Sequence, residues 1–559
     1  MKSIIGRLIG DTGDPAKLQA VLTSSFSARR GEFVKLSHCE QEEDGQVFVL
    51  ARIVALSRRN VLYSTSVGES ASDLELMPGA RLTGENNNAT LEAIGFRDPR
   101  TDQIKMPRRP LDPGSKVEKV DFQFLSAFYQ FSEHTSMHLG NLVGYDRGPN
   151  VVPVFLDINT LATEHLAVLA MTGAGKSYTV GRIIERLVGL HNGTVVVFDP
   201  HGEYGRAFEH GNLQFAPFSD VIEDPRDAQT LPKIRERLKK LQTEDAGVVV
   251  YTPQDPEFRA KYAGKNRELA LQLDHFHLED IVEILPELTE PQQRVLYIAL
   301  RYWIHHEHEP RDINRLRSLL GDEFETLRNW EALSDGERNA LTERSANIAC
   351  AKMSQVINEA QSFYSASLSH PTNIKEMVGK ITQKKGRLVI IDLQGLSDNA
   401  KQVITALLSS EILRAAASKT DRIRPTFLVY EEGHTFAPAG KPSISHRIIK
   451  KIAGEGRKFG VGFAIISQRP SKLDPDVTSQ CNTLIVMRLK NPEDKSFISR
   501  TSDMVSKAEI EELSSLSTGE ALVFGRSIVA PLLVKIGPKA LIHGGKSPEV
   551  LDIWGNAGD

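Results

Sequence analysis

Cysteine is scarce. Cys39, Cys350 and Cys481 are the only three in 559 residues, odd in number and far apart. Their spacing excludes a disulfide framework and a zinc cluster, and it suits a reducing compartment. Long apolar runs are missing too: no stretch of about 18 uncharged apolar residues occurs, so no membrane-spanning helix is expected. The start, Met1-Lys2-Ser3-Ile4-Ile5-Gly6-Arg7-Leu8, lacks an apolar core followed by a cleavage site, and a cytoplasmic protein with no membrane partner is expected. An excess of one charge is also absent. Sixty-eight basic against 72 acidic residues leave a net charge of -4, so any nucleic-acid surface has to be local, such as the lining of a channel. No repeat or low-complexity tract appears. The 40% apolar and 25% charged content is that of a globular protein, with length for roughly three to four domains.

Residues 1–125 read as a small β-barrel. Short runs such as Phe33-Val34-Lys35-Leu36 and Gln46 to Val54 are separated by turn clusters like Glu43-Asp44-Gly45, the pattern of closely spaced strands. Within this region a proline-bearing extended segment from Gly95 to Gly114 links or braces the barrel, and its Arg97, Arg100, Lys105, Arg108 and Arg109 are open to two readings, DNA contact or a solvated linker.

The apolar run Leu166-Ala167-Val168-Leu169 leads into Ala170-Met171-Thr172-Gly173-Ala174-Gly175-Lys176-Ser177 and then a helical pattern from Tyr178 to Leu190. Strand, glycine loop and helix make a phosphate-binding loop. Glycines let backbone N–H groups face an anion, the helix dipole favours it, a lysine reaches the outer phosphates, and a hydroxyl ligates Mg²⁺. Lys176 and Ser177 fill the last two roles, with Gly173 and Gly175 shaping the cradle. The expected nucleotide-binding set is Thr172, Gly173, Ala174, Gly175, Lys176, Ser177 and Tyr178, with Asp199 and Glu203 brought in from the next strand, Thr194 to Asp199. Ala170 stands where the pattern asks for glycine, which costs nothing if the residue closes the strand with ordinary β geometry. The competing reading is a glycine turn with no ligand.

Beyond a charged helical stretch the alternation of strands and helices resumes, so the fold class is α/β, with a mostly parallel sheet covered on both faces. The expected division is 1–125 barrel, 126–220 first part of the core, 221–375 helical insertion, 376–535 second part of the core and 536–559 tail. Within the insertion, His305-His306-Glu307-His308 is read as a solvated helix end, because adjacent helical residues splay around the axis. At the end of the strand Thr426 to Tyr430 stand Glu431 and Glu432. ATP hydrolysis needs one carboxylate for the Mg²⁺ shell and another to deprotonate water. Glu431 is assigned the metal, Glu432 the base, against the alternative of a solvated acidic turn. Gln468, ending the strand Gly460 to Ser467, is a phosphate sensor, and Arg457 in Gly454-Glu455-Gly456-Arg457-Lys458 is either a finger reaching a neighbour's nucleotide or a cation closing a helix.

Together, Leu169 to Ser177, Phe198-Asp199-Pro200-His201-Gly202-Glu203-Tyr204, Val429 to Pro438, Gly456 to Gly462 and Ser467 to Asp474 resemble the HerA family of hexameric DNA-translocating ATPases, relatives of FtsK. Gly433, where that family more often has alanine, is a departure. The resemblance implies a RecA-like core using ATP and Mg²⁺, and a homohexamer with double-stranded DNA in its central pore. It also implies a nuclease or effector, NurA-like, SIR2-like or another defence nuclease, docked on the N-terminal barrel, in DNA end processing or anti-phage defence. Arg447, Lys450, Lys451 and Lys472 are candidates for the pore. Two other readings stay open: a ring that scaffolds an effector with hydrolysis secondary, and a monomeric DEAD/DEAH-like helicase, for which the chain after Gln468 is short of a second motor domain.

Overall fold

The computed structural model describes residues 4–23, 28–39, 46–60, 85–129, 135–146, 151–217, 224–245, 247–253, 255–269, 285, 288–306, 313–360, 374–418, 423–440, 443–528, 530–542 and 544. The chain divides into two compact units, Met1–Ser132 with Leu142–Val154, and Glu133–Asn141 with Phe155–Asp559.

In the first unit the strands are β1 (Ile4–Ile9), β2 (Leu18–Leu22), β3 (Phe33–Cys39), β4 (Gln46–Asn60), β5 (Glu85–Arg97), β6 (Ile104–Lys105) and β7 (Lys116–Lys119), followed by helix α1 (Phe122–Phe128). The order β2-β1-β7-β3-β4-β5, with β2 pairing back onto β5, closes a six-stranded antiparallel barrel and leaves β6 on β5. Alternate residues point inward: Leu18, Ala20 and Leu22, Val34 and Leu36, Val49, Ala51 and Ile53, Ala89, Leu91 and Ala93 are all buried. Closure removes the exposed strand edges an open sheet would carry. Register shifts at Leu50/Ala51 and Ile53/Ala55 supply the bend that the long β4 needs.

The second unit is a sheet with helices. Its elements are β8 (Ser136–Leu142), β9 (Pro153–Asp157), α2 (Ile158–Thr163), β10 (Leu166–Leu169), α3 (Lys176–Gly189), β11 (Thr194–Asp199), α4 (Pro225–Thr243), β12 (Val248–Thr252), α5 (Pro256–Lys261) and β13 (Arg267–Glu268). A helical run follows: α6 (Glu290–His306), α7 (Ile313–Leu320), α8 (Phe324–Arg328), α9 (Asp335–Ala340), α10 (Glu343–Ala360) and α11 (Ile374–Thr382). Then come β14 (Arg387–Asp392), α12 (Asp398–Ala417), β15 (Thr426–Tyr430), α13 (Gly433–Phe436), α14 (His446–Phe459), β16 (Val461–Ser467), α15 (Pro475–Ser479), β17 (Thr483–Met487), α16 (Pro492–Thr501), α17 (Lys507–Glu512), β18 (Glu520–Gly525) and β19 (Leu532–Ile536).

The strand order is β13-β12-β14-β11-β15-β16-β10-β17-β18-β19-β8-β9. From β13 to β17 neighbours run parallel; β17, β18 and β19 pair antiparallel, with β18 and β19 forming a hairpin. Every residue of β10, β11, β14, β15, β16 and β17 is buried, as two-sided helix cover requires of parallel strands. β12 lies in this sheet beside β14, joined to β11 through α4. Among the described residues, the helices between β13 and β14 start at Glu290, while the strand Val248–Thr252 within the expected 221–375 insertion belongs to the sheet. Glu307 and His308 of the histidine cluster lie outside the described residues. Among the described residues no helix is long and apolar enough to cross a membrane.

The consequence for function is one of adjacency. Parallel strands present all their carboxyl ends at one edge, and the order β14-β11-β15-β16-β10-β17 sets Asp392, Asp199, Glu431 and Glu432, Gln468, the glycine loop and Arg488 along it. Ligands of open α/β sheets bind at that edge.

Candidate active site

The loop after β10 turns on Gly173 (φ 76°) and Gly175 (φ 104°), which caps α3 in the left-handed conformation. Ala170 is not among the positive-φ residues; it is buried, and its N–H donates to Ser467 at 3.2 Å. No acidic residue occupies the first turn of α3 and no side chain caps it, so its N-terminal N–H groups and dipole suit an anion.

Lys176, 6% exposed, points its Nζ at two carboxylates, Glu431 and Glu432, the latter at 2.9 Å. Burial opposes its charge, yet the two glutamates outweigh burial and its pKa is raised. The glutamates respond differently to the same lysine. Glu431 is fully buried with Glu203 and Glu432 nearby, and burial pushes its pKa up; Glu432, less enclosed, is held below the usual value because Lys176 outweighs burial. Glu431 also accepts from the Tyr204 hydroxyl at 2.8 Å.

Glu432 adopts φ 53°, ψ 50° at the head of α13, a conformation that costs a non-glycine residue of order 1–3 kcal/mol and persists only when its surroundings enforce it. The enforcement is visible. Its Oε1 accepts from Lys176 and from Gln468 Nε2, and Gln468 Oε1 accepts from the Thr172 hydroxyl. Its Oε2 has His434 Nδ1 at 3.3 Å, and that nitrogen is 3.3 Å from Ser467 Oγ. Thr172, Gln468, Glu432, Lys176, Glu431 and Tyr204 thus form one continuous chain of contacts across β10, β16, β15 and the loop after β11.

Asp199 lies one step behind this chain. Fully buried, it accepts the N–H groups of Glu203 (3.1 Å), Tyr204 (2.8 Å) and Gly205 (3.3 Å), and so shapes the loop that delivers Tyr204 to Glu431. Burial, then its neighbour Asp392, raises its pKa to about 7. Glu203 Oε2 is buried without a hydrogen-bond partner among the described residues, and with Ser177, Tyr204 and Lys539 it lines a cavity of about 30 Å³. The Tyr178 hydroxyl accepts the Lys539 N–H at 3.1 Å, which turns that side chain to the segment after β19. Arg457 lies at the opposite edge of the sheet, its Nη1 2.9 Å from Glu164.

Of the basic residues singled out in the extended linker, Arg97 donates to the carbonyls of Asp102 and Phe128, and Lys105 pairs with Asp98. Lys450 pairs with Asp476. Tyr204 and His434, part of the motif runs, had no role assigned from the sequence; Tyr204 stands five residues beyond Asp199, where a tight loop returns it to the strand end.

A strand-loop-helix phosphate cradle whose lysine is met by paired glutamates from a non-adjacent strand defines a P-loop ATPase. The description "Helicase HerA, central domain" matches residues 137–412. The DNA double-strand break repair helicase HerA of Pyrococcus furiosus is 28% identical over 572 residues, covering 95% of this chain and 93% of that protein. Its counterpart in Saccharolobus solfataricus is 26% identical over 566 residues, covering 99% and 95%. A probable helicase of Methanocaldococcus jannaschii is 25% identical over 566 residues, covering 99% and 94%. The chain thus carries a HerA-type central domain and is similar to HerA helicases over nearly its whole length, and it is an ATP-hydrolysing enzyme.

Proposed function

We propose that the protein is an ATP-driven DNA translocase of the HerA type, working as a hexameric ring with ATP at the subunit interfaces and duplex DNA in the central pore. The observation that carries this reading is the grip of Lys176 by Glu431 and Glu432, with Gln468 and Thr172 completing the chain. A lysine that exchanges two carboxylates for phosphates couples nucleotide binding to the catalytic acid. Once Lys176 turns to the outer phosphates, the charge that holds Glu432 acidic is withdrawn, and Glu432 becomes a better base. Glu432 then takes a proton from water as the water oxygen bonds to the γ-phosphorus. The bond to the β–γ bridging oxygen breaks, and ADP carries away the electron pair. Gln468, bonded at both ends, senses the departure of Lys176 and relays it to the loop at Thr172. Arg457 of a neighbouring copy neutralises charge developing on the phosphoryl group.

The donors around this site suit a hard divalent cation: the Ser177 hydroxyl, the Glu431 carboxylate and the unpartnered Glu203 oxygen are all oxygen ligands, as Mg²⁺ prefers. Ser177 and Glu431 would hold it, and it would screen the phosphate charges. A nuclease or other effector on the barrel is the expected partner, in end processing or anti-phage defence, and the cytoplasm the expected location. The experiment is ATP turnover with and without linear duplex DNA, beside light scattering. Stimulation by duplex and a six-subunit mass support the reading; a monomer, or turnover indifferent to DNA, refutes it. Duplex affinity is expected to fall steeply with salt and to vary little with sequence.

A further inference from the structure

Glu164 lies between two arginines. Arg457 Nη1 is 2.9 Å from its Oε1 and Arg526 Nη1 is 3.3 Å from its Oε2. The carboxylate is 8% exposed, whereas the two arginine side chains are 62% and 64% exposed. One buried anion thus steadies two surface cations without cancelling both. A planar guanidinium has five N–H donors, and each arginine turns most of its fork outward.

The backbone builds this arrangement. The Asn482 N–H donates to Glu164 O at 3.0 Å and the Arg526 N–H to Asn482 O at 2.7 Å, lacing three segments side by side. Gly525 (φ 115°) permits the last approach: a Cβ there would stand 2.1 Å from the Asn482 oxygen. A Cβ on Gly462 would be 1.8 Å from the Ala162 carbonyl oxygen, so only glycine lets β16 lie against the segment leading into Glu164. His165, next in sequence, is buried and takes φ 62°. Its Nδ1 accepts from the Phe463 N–H at 3.3 Å and its Nε2 reaches Ala453 O at 3.1 Å, tying Glu164 to β16 and to α14, which carries Arg457.

All of this is at the amino end of β10, whereas the phosphate loop is at the carboxyl end. The steps from His165 to Ala170 span about 16 Å at strand rise. Neither arginine serves the phosphate loop of its own subunit.

We propose that Arg526 is a second catalytic cation, entering the phosphate site of the next subunit together with Arg457, and that Glu164 positions both. The inference rests on the ring reading above, in which Arg457 acts in trans. Phosphoryl transfer spreads negative charge over three equatorial oxygens. Lys176 and the α3 N-terminus cover the inner side of that charge, and two forks from the facing subunit cover the outer side, with Arg preferred for its bidentate geometry.

The test compares Arg457→Ala and Arg526→Ala, each alone and mixed with Lys176→Ala subunits, following ring mass, ATP binding and turnover. Arg526→Ala is expected to bind ATP and form rings, with turnover down at least 100-fold. Mixing is expected to restore activity, because the intact loop of one variant meets the intact arginine of the other. Turnover within twofold of wild type, or a loss that mixing does not rescue, overturns the proposal. If mixing rescues Arg457→Ala but not Arg526→Ala, the ring reading stands and this inference alone falls; if it rescues neither, trans catalysis itself falls. Should Arg526→Ala fail to assemble, Arg526→Lys keeps the charge but not the fork. It is expected to assemble and lose at least tenfold in kcat with KM within threefold, and wild-type kcat would overturn the proposal. Glu164→Gln, a positioning variant, is expected to lower kcat with ATP affinity unchanged.

Discussion

Lys176 and Glu432 are 256 residues apart in sequence and 2.9 Å apart in space. The phosphate loop lies on β10 and the glutamate on β15, with β16 between them, so the contact spans two strand spacings and is closed by long side chains bending toward each other. Gln468, on that intervening strand, bonds to Glu432 on one side and Thr172 on the other. In the proposed cycle the lysine reports occupancy, because it would leave the two glutamates to reach a phosphate.

Replacing Glu432 by Gln therefore separates binding from chemistry. The amide cannot accept a proton from water, and loss of a general base costs typically 10²–10⁴-fold. Glu432→Gln is expected to bind ATP at least as tightly as wild type, since Lys176 is released from one competing charge, while turnover falls at least 100-fold. Equilibrium binding of a fluorescent ATP analogue beside steady-state phosphate release measures both, and unchanged turnover would strip Glu432 of its role.

Gln468→Ala cuts the link between β16 and both neighbours. A hydrogen bond to a charged group contributes about 1.5–3 kcal/mol, so turnover is expected to fall roughly ten- to hundred-fold if the bond matters in the transition state. Because Gln468 does not carry the phosphate charge, ATP affinity should change by less than about threefold. An affinity loss as large as the turnover loss would make it a binding residue, not a sensor.

What the sequence made legible follows from how local the signals are. The glycine loop after Leu166-Ala167-Val168-Leu169 is a contiguous motif, and the β-branched runs at 194–199, 387–392 and 426–430 announce buried parallel strands. The placing of β12 was hidden, because Val248 to Thr252 sits among charged helices in sequence and only pairing with β14 reveals its sheet. Asp199 shows a subtler limit. An acid at a strand end reads as a ligand, yet three backbone N–H groups from its own loop claim its oxygens, and no linear pattern distinguishes the two. Glu164 was invisible for the opposite reason: its partners come from residues 457 and 526 and share no motif with it.

Behind α3 lies a charge cluster whose disruption should unfold the core. Arg182 and Arg186, on the phosphate-loop helix, are 0% and 1% exposed, and both converge on Asp227, with His138 Nδ1 3.4 Å from the same carboxylate. Removing one partner of a buried ion pair leaves an uncompensated charge and costs about 3–5 kcal/mol. Asp227→Ala is expected to lower the urea midpoint of the core accordingly. A stability loss under about 1 kcal/mol would mean that water or Asp224 takes over the arginines, and that the cluster does not anchor the helix.

Asp199 and Asp392 are register partners on the adjacent strands β11 and β14, both buried, and burial followed by Asp392 raises Asp199 from 3.8 to about 7. Between those values the folded protein holds a proton that the unfolded chain has released, so stability is greatest below about pH 4 from this group and declines as pH rises through 7. The decline corresponds to about 4 kcal/mol at 1.36 kcal/mol per unit. Asp392→Asn removes the neighbouring charge but not the burial, so the slope of unfolding free energy between pH 5 and 7.5 should flatten without vanishing. Chemical denaturation of wild type and variant across that range measures it, and parallel slopes would mean that the two carboxylates do not share their electrostatics.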